Sequence, residues 1–212
     1  MGKGTVLVVG GSLAGGRAAE QVRRLGHQGR IVLVGDEPHR PYDRPPLSKK
    51  FLLGEIDEDR LFLRPQHFYD GKEVELILGA RAIGLDTTAR EVELDDGRRI
   101  GFEHLVITTG ASVRTLRCPG ADLEGVHYLR TLEDSLAIRA ELETARRAVV
   151  IGAGVIGAEV AAACRHKGVE VVMLEALDTP LIRAFGAQVG RFYADVHRDH
   201  GVDLRVSTLP VR

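Results

Sequence analysis

The sequence predicts an α/β fold built from two parallel βαβ units, and three observations predict it. First, TVLVVG (5–10) is a continuous apolar, β-branched run, the pattern of a parallel strand buried on both faces. Second, glycines follow at once and open a stretch of helical length, and the whole pattern returns at AVVIGAG (148–154). Third, each helical stretch leads into another apolar run, RIVLVG (30–35) in the first half and VEVVMLE (169–175) in the second. The composition, 44% hydrophobic and 28% charged over 212 residues, is that of a globular chain with a sizeable core.

In the first unit Gly10, Gly11, Gly15 and Gly16 precede a helix with Ala18, Val22 and Leu25 on one face, ending near Gly26. DEPHRPYDRPPLSKK (36–50) carries Pro38, Pro41, Pro45 and Pro46, each with a fixed φ and no N–H, so a stiff, pre-ordered loop is expected. From 74 to 107 the pattern turns β-rich: VELILGA, a hairpin in REVELDDGRRIGF about the Asp-Gly turn at 96–97, and a return strand HLVITTG. CPGADLEGV (118–126) reads as a connector, and RTLEDSLAIRAELE (130–143) as a helix capped by Thr131 with Asp134 three residues on. In the second unit a helix is expected from about Val155 to Lys167. Another follows at about 185–200, then a short strand VDLRVS (202–207). The expected organisation is 1–110, a connector with a helix at 111–147, and 148–212.

Charge and cysteine usage exclude several functions. Lys plus Arg (29) balance Asp plus Glu (30), so no net field attracts nucleic acid or an anionic membrane. No apolar run reaches the ~20 residues of a bilayer span, and MGKGTVLVVGG reads as a strand rather than a signal peptide. Cys118 and Cys164 form neither a disulfide framework nor a C-x-x-C pair, which fits a reducing, cytoplasmic compartment. Cys164, in AEVAAACRH, reads as a buried small hydrophobe. His197 and His200 lack any surrounding metal-site motif and read as solvated, so no metal is expected.

The chemistry lies in the glycines. Gly152-Ala-Gly154-Val155-Ile156-Gly157 follows a strand and opens a helix. The first glycine permits the tight turn, the second lets backbone approach a pyrophosphate, and the third packs helix on strand. Glu175 closes the next strand, where an acid accepts ribose hydroxyls. With no Arg at 176–178 to meet a 2′-phosphate, NAD is favoured over NADP. The first loop, Gly10-Gly11-Ser12-Leu13-Ala14-Gly15, has Ser12 where a second glycine is usual, and its acid is Asp36 or Glu37. A glycine-rich turn without a ligand is the bland alternative for each loop. Two dinucleotide loops in one chain suggest electron transfer between two cofactors, most simply nicotinamide to flavin.

PYDRPPLSK (41–49) behind the first βαβ unit, with LVITTG (105–110), YLRTLED (128–134) and GAGVIGAEVA (152–161) in that order, resembles the NADH:ferredoxin reductase group. This group belongs to the FAD-dependent pyridine nucleotide-disulfide oxidoreductases and serves oxygenase and cytochrome P-450 systems. The resemblance covers essentially the whole chain. It implies two Rossmann-like units, an FAD domain with an NAD domain inserted. FAD would be held by Gly10, Ser12, Leu13, Ala14 and Gly15, with Asp36 or Glu37 on its ribose. Arg44, Pro45 and Lys49 would lie against the flavin, and Ala82 at its adenine. Thr109, Gly110 and Arg130 would complete that site. NAD(H) would take Gly152, Gly154, Val155, Ile156, Gly157 and Glu175, with Glu159 near the nicotinamide. Lys49 and Glu159 are the implied catalytic residues, and a 2Fe–2S ferredoxin the implied partner.

LSKKFLLGE (47–55) lacks the C-x4-C of the disulfide reductases, so electrons are expected to leave by a route other than a disulfide. Members of the group also carry a later Gly-Asp motif and a covering domain. The only Gly-Asp here, 35–36, ends the second strand. The expectation is therefore a truncated form with both units incomplete. An inactive remnant, a nucleotide-binding module or half of a split enzyme, and an NADH oxidase are the alternatives.

Overall fold

A computed structural model describes residues 3–210. Met1, Gly2, Val211 and Arg212, the outermost residues of the expected segments 1–110 and 148–212, lie outside the described residues. The chain forms two compact units, the first from residues up to 44 and 58–111, the second from 45–57 and 112 onward. Of the connector and helix expected at 111–147, Ala111 falls in the first unit and 112–147 in the second, as does the end of the proline loop.

The first unit holds β1 (Val6–Val9), α1 (Leu13–Arg24), β2 (Ile31–Gly35), α2 (Gln66–Gly71), β3 (Val74–Leu78), β4 (Ala82–Asp86), β5 (Glu91–Leu94), β6 (Arg99–Gly101) and β7 (His104–Ile107). Its parallel sheet runs β3-β2-β1-β7, with Val6 opposite both Ile31 and His104. Every residue of β1 and β2 is buried, which is why both read as unbroken apolar runs. Val6, Val8, Ile31 and Leu33 pack with Ala19 and Tyr69 on one face. Leu7, Val9, Val32 and Val34 pack on the other with Val92, Leu94 and Ile100. Each such leucine or valine contributes roughly 1.5–3 kcal/mol by burial.

Two expectations for this unit need correction. The buried face of α1 is Gly15, Gly16, Ala19 and half-buried Val22, whereas Leu25 is 73% exposed just past the helix end. The small residues win that face because the helix must lie close on the strands. The β-rich region is also more than a hairpin: β4 adds a third strand to an antiparallel β4-β5-β6 sheet. Gly84 and a register shift between Ala82 and Gly84 break its alternation, so only pairing with β5 makes it a strand.

The second unit holds α3 (Leu132–Leu142), β8 (Arg147–Ile151), α4 (Val155–His166), β9 (Glu170–Leu174), α5 (Ile182–Asp199) and β10 (Val202–Arg205), with a parallel sheet β10-β9-β8. Thr131 caps α3 in a reciprocal box with Asp134, an arrangement worth about 1 kcal/mol. α5 starts earlier than its pattern suggests, after Leu181 in the left-handed region, and kinks at Gly186 (φ 79°). One core, Ala161, Cys164, Val171, Met173, Ala194, Val202 and Leu204, joins α4, α5 and the sheet. His197 is buried on α5 and not solvated: the helix turns it inward, and burial, then the charge of His200, lowers its pKa. Burial conversely raises the pKa of Cys164, which behaves as core. Among the described residues no helix is long and apolar enough to cross a membrane.

Candidate functional site

Each unit builds a glycine loop between strand and helix. In the first, Gly10 has φ 119°, and a Cβ there would stand 2.2 Å from the Thr108 carbonyl oxygen. A Cβ on Gly15 would meet the Gly10 carbonyl oxygen at 1.9 Å, so the third glycine is required by helix–strand contact alone. Ser12 is the N-cap of α1 without capping it through its side chain. Leu13 and Ala14 are exposed in the first helical turn. Thr108 is the residue that sequence reasoning missed here. Its hydroxyl lies 3.1 Å from the carbonyl oxygens of both Val9 and Gly10 and ties β7 to the loop. Only the parallel pairing of β1 with β7 brings it there. Thr109 and Gly110 (φ 71°) follow β7, both exposed. Ala82, half-buried, opens β4 opposite Leu94.

The acids behind β2 differ. Asp36 is half-exposed and pairs with Arg81 at 3.4 Å. Glu37 is mostly buried, accepting from the Tyr42 hydroxyl and from Arg44 Nη2 at 2.5 Å. Arg44 also reaches Tyr42 Oη through Nη1 and Ser12 Oγ through Nε, both at 3.2 Å. The structure thus brings Ser12, Glu37 and Arg44 together and leaves Asp36 to one side.

In the second unit Gly152 has φ 99°, and neither it nor Gly154 has any protein atom within 4 Å of an added Cβ. Protein packing therefore does not demand glycine at either position, as expected where a ligand approaches the backbone. Gly157, like Gly15, would clash with the first glycine's oxygen at 1.9 Å. Val155 and Ile156 are exposed at the start of α4. Glu175 leans over this loop, accepting from Ala153 N at 2.8 Å and Leu177 N at 2.9 Å. Arg130 is half-buried at the start of α3, its backbone N–H bonded to Asp134.

The second unit also assembles the two implied catalytic residues. Pro45–Ser48 forms a short 3-10 turn, held to α3 by Ser135 Oγ donating to the Leu47 carbonyl at 2.7 Å and by Arg139 over the Phe51 ring. Leu52 enters the unit's core. That anchoring sets Lys49 Nζ 2.8 Å from Glu159 Oε2, while Nζ also donates to the Pro45 carbonyl at 3.1 Å. Buried Ser48, absent from the sequence-based set, donates to the same Glu159 oxygen at 2.5 Å. Its signal was adjacency to Lys49; the contact itself spans 111 residues. A lysine and a carboxylate so joined can pass or hold a proton.

An α/β protein with two glycine-loop βαβ units is the class that this geometry defines. The profile of the pyridine nucleotide-disulphide oxidoreductase family matches residues 4–212, and the chain belongs to that family. It is similar to rhodocoxin reductase of Rhodococcus erythropolis, 43% identical over 96% of this chain and 48% of the relative. A ferredoxin–NAD(P)(+) reductase of Sphingomonas sp is 42% identical over 96% of this chain and 49% of its own. Among solved structures, the ferredoxin reductase for the CYP199A2 system from Rhodopseudomonas palustris superposes with a TM-score of 0.93 at 38% identity, over 96% of this chain and 50% of that one. Putidaredoxin reductase in its covalent complex with putidaredoxin gives 0.92 at 36%, over 100% and 51%. The chain spans about half the length of the relatives it matches.

Proposed function

We propose that this chain serves an NADH:ferredoxin reductase, with FAD held by the first unit and NADH by the second, in the cytoplasm. The electron acceptor is a 2Fe–2S ferredoxin of an oxygenase or cytochrome P-450 system. The observation that carries this reading is the Ser48–Lys49–Glu159 cluster, in which the end of a 3-10 turn and a helix bring a hydroxyl and a lysine to one carboxylate oxygen. The relatives' names support the same activity. Bound FAD supplies hydride acceptance from NADH and single-electron release, which links a two-electron donor to a one-electron ferredoxin.

The residues of the chain divide the remaining work. The N–H groups at the starts of α1 and α4 take diphosphates, which helix dipoles favour. Glu175 accepts the adenosine ribose hydroxyls of NADH and repels a 2′-phosphate. Lys49 and Glu159 hold a proton-bearing pair at the nicotinamide end. The test is to add FAD to the purified protein, reduce it anaerobically with NADH, and follow electrons into a 2Fe–2S ferredoxin. Yellow absorbance, faster bleaching by NADH than by NADPH, and ferredoxin reduction are expected. Protein that gains no flavin absorbance overturns the reading. Peroxide formed without ferredoxin indicates an oxidase, and NADH binding without turnover of a dye acceptor indicates a binding module.

A further inference from the structure

The cluster beside the first glycine loop supports a division of labour between two adjacent acids, and it rests on the FAD reading of that unit. Asp36, directly after β2, has a side chain 54% exposed and an ion pair with Arg81 at 3.4 Å. Glu37 is 18% exposed and commits both carboxylate oxygens, one to Tyr42 and one to Arg44. Tyr42 is fully buried and its hydroxyl in turn meets Arg44 Nη1, so the three side chains close a triangle. The third arm of Arg44, Nε, reaches Ser12 Oγ at the N-cap of α1.

A guanidinium is planar and rigid, so three anchors on three of its nitrogens fix its orientation. They fix it at a helix N-terminus, which already carries the positive end of the dipole. A cation there is unfavourable by itself, and the carboxylate of Glu37 offsets part of that cost. A diphosphate in the loop turns the same arrangement favourable, because it meets the dipole and the guanidinium together. Ser12 then has a reason to replace the usual glycine. Its hydroxyl gives Arg44 an acceptor that a glycine lacks.

We propose that Glu37 is a positioning residue that holds Arg44 at the phosphate loop, and that Asp36 is the acid for the adenosine ribose. The test is a set of FAD titrations on the purified protein with Glu37→Gln, Asp36→Asn and Arg44→Gln singly, and with each acid variant combined with Arg44→Gln. Glu37→Gln weakens FAD binding about tenfold in the native background, as loss of a bond to a charged group does. In the Arg44→Gln background it weakens binding less than about twofold, because the residue it acts through is gone. Asp36→Asn costs the same in both backgrounds. Additive losses for Glu37→Gln overturn the proposal. Tyr42→Phe, which keeps the buried ring, gives a smaller loss that likewise shrinks when it is combined with Arg44→Gln. Arg44 Nε–H exchange, followed by NMR in protein without ligand, separates this idea from the FAD reading. A protected signal lost in Glu37→Gln supports positioning even if FAD fails to bind, and a signal unchanged by Glu37→Gln overturns it.

Discussion

In both units a Cβ on the third loop glycine, Gly15 or Gly157, would stand 1.9 Å from the oxygen of the first, Gly10 or Gly152. The first glycines themselves differ. Gly10 lies under Thr108, just after a strand flanked by β2 and β7, in a sheet with an apolar core on each face. Gly152 has open space, and β8 pairs with β9 alone among the described residues. Val149 and Ile151 of β8 are exposed, 58% and 44%, beside a cavity of about 740 Å³ that they line with Tyr128 and Ile138. Parallel sheets are ordinarily covered on both faces. The helix–strand contact of a glycine loop is therefore local, whereas the packing over its first glycine comes from the neighbouring strand.

The largest expected effect breaks that comparison directly. Gly10→Ala meets both a positive φ and the Thr108 oxygen, and is expected to destabilise the first unit by at least about 3 kcal/mol in denaturant unfolding. Gly152→Ala meets only the positive φ and is expected to cost about 1–2 kcal/mol. Equal losses would show that β7 does not stiffen the first loop.

Next comes the cluster in the second unit. Glu159→Gln is expected to slow flavin reduction by NADH about 100-fold with FAD affinity unchanged, measured by anaerobic stopped flow. Ser48→Ala, which removes one of two anchors on the Glu159 oxygen, is expected to slow it about tenfold. A fall in FAD affinity in place of the rate would assign both residues to structure.

The smallest effect concerns acid. Burial favours neutral His197, so its folded pKa lies below the ordinary 6.5 and the unfolded chain takes up the proton first. Stability of the second unit is thus expected to fall as pH drops below about 6.5, and His197→Gln to flatten that slope. A pH dependence unchanged by the substitution, in thermal unfolding from pH 7.5 to 5.5, would remove His197 as its source.

Much of this protein is legible in one dimension because its strands and loops are local patterns. VLVV and IVLVG are buried throughout, so they carry no alternation to misread, and Thr131 with Asp134 caps α3 within four residues. Leu25 and β4 were illegible for the opposite reason. One lies at a helix end that the fold leaves in solvent, and the other becomes a strand only through pairing with β5. His197 depends on which way an 18-residue helix is turned, which its neighbours in space decide.

By itself the sequence determined the α/β class, the two glycine loops and the family, because short-range spacing of strand, glycine and helix is enough to encode them. Only the tertiary structure decided which side chains meet. Ser48 joins Glu159 across 111 residues, Thr108 closes over Gly10 across 98, and Glu37 pairs with Arg44 beside the loop. Such contacts depend on sheet order and burial, which no local pattern specifies.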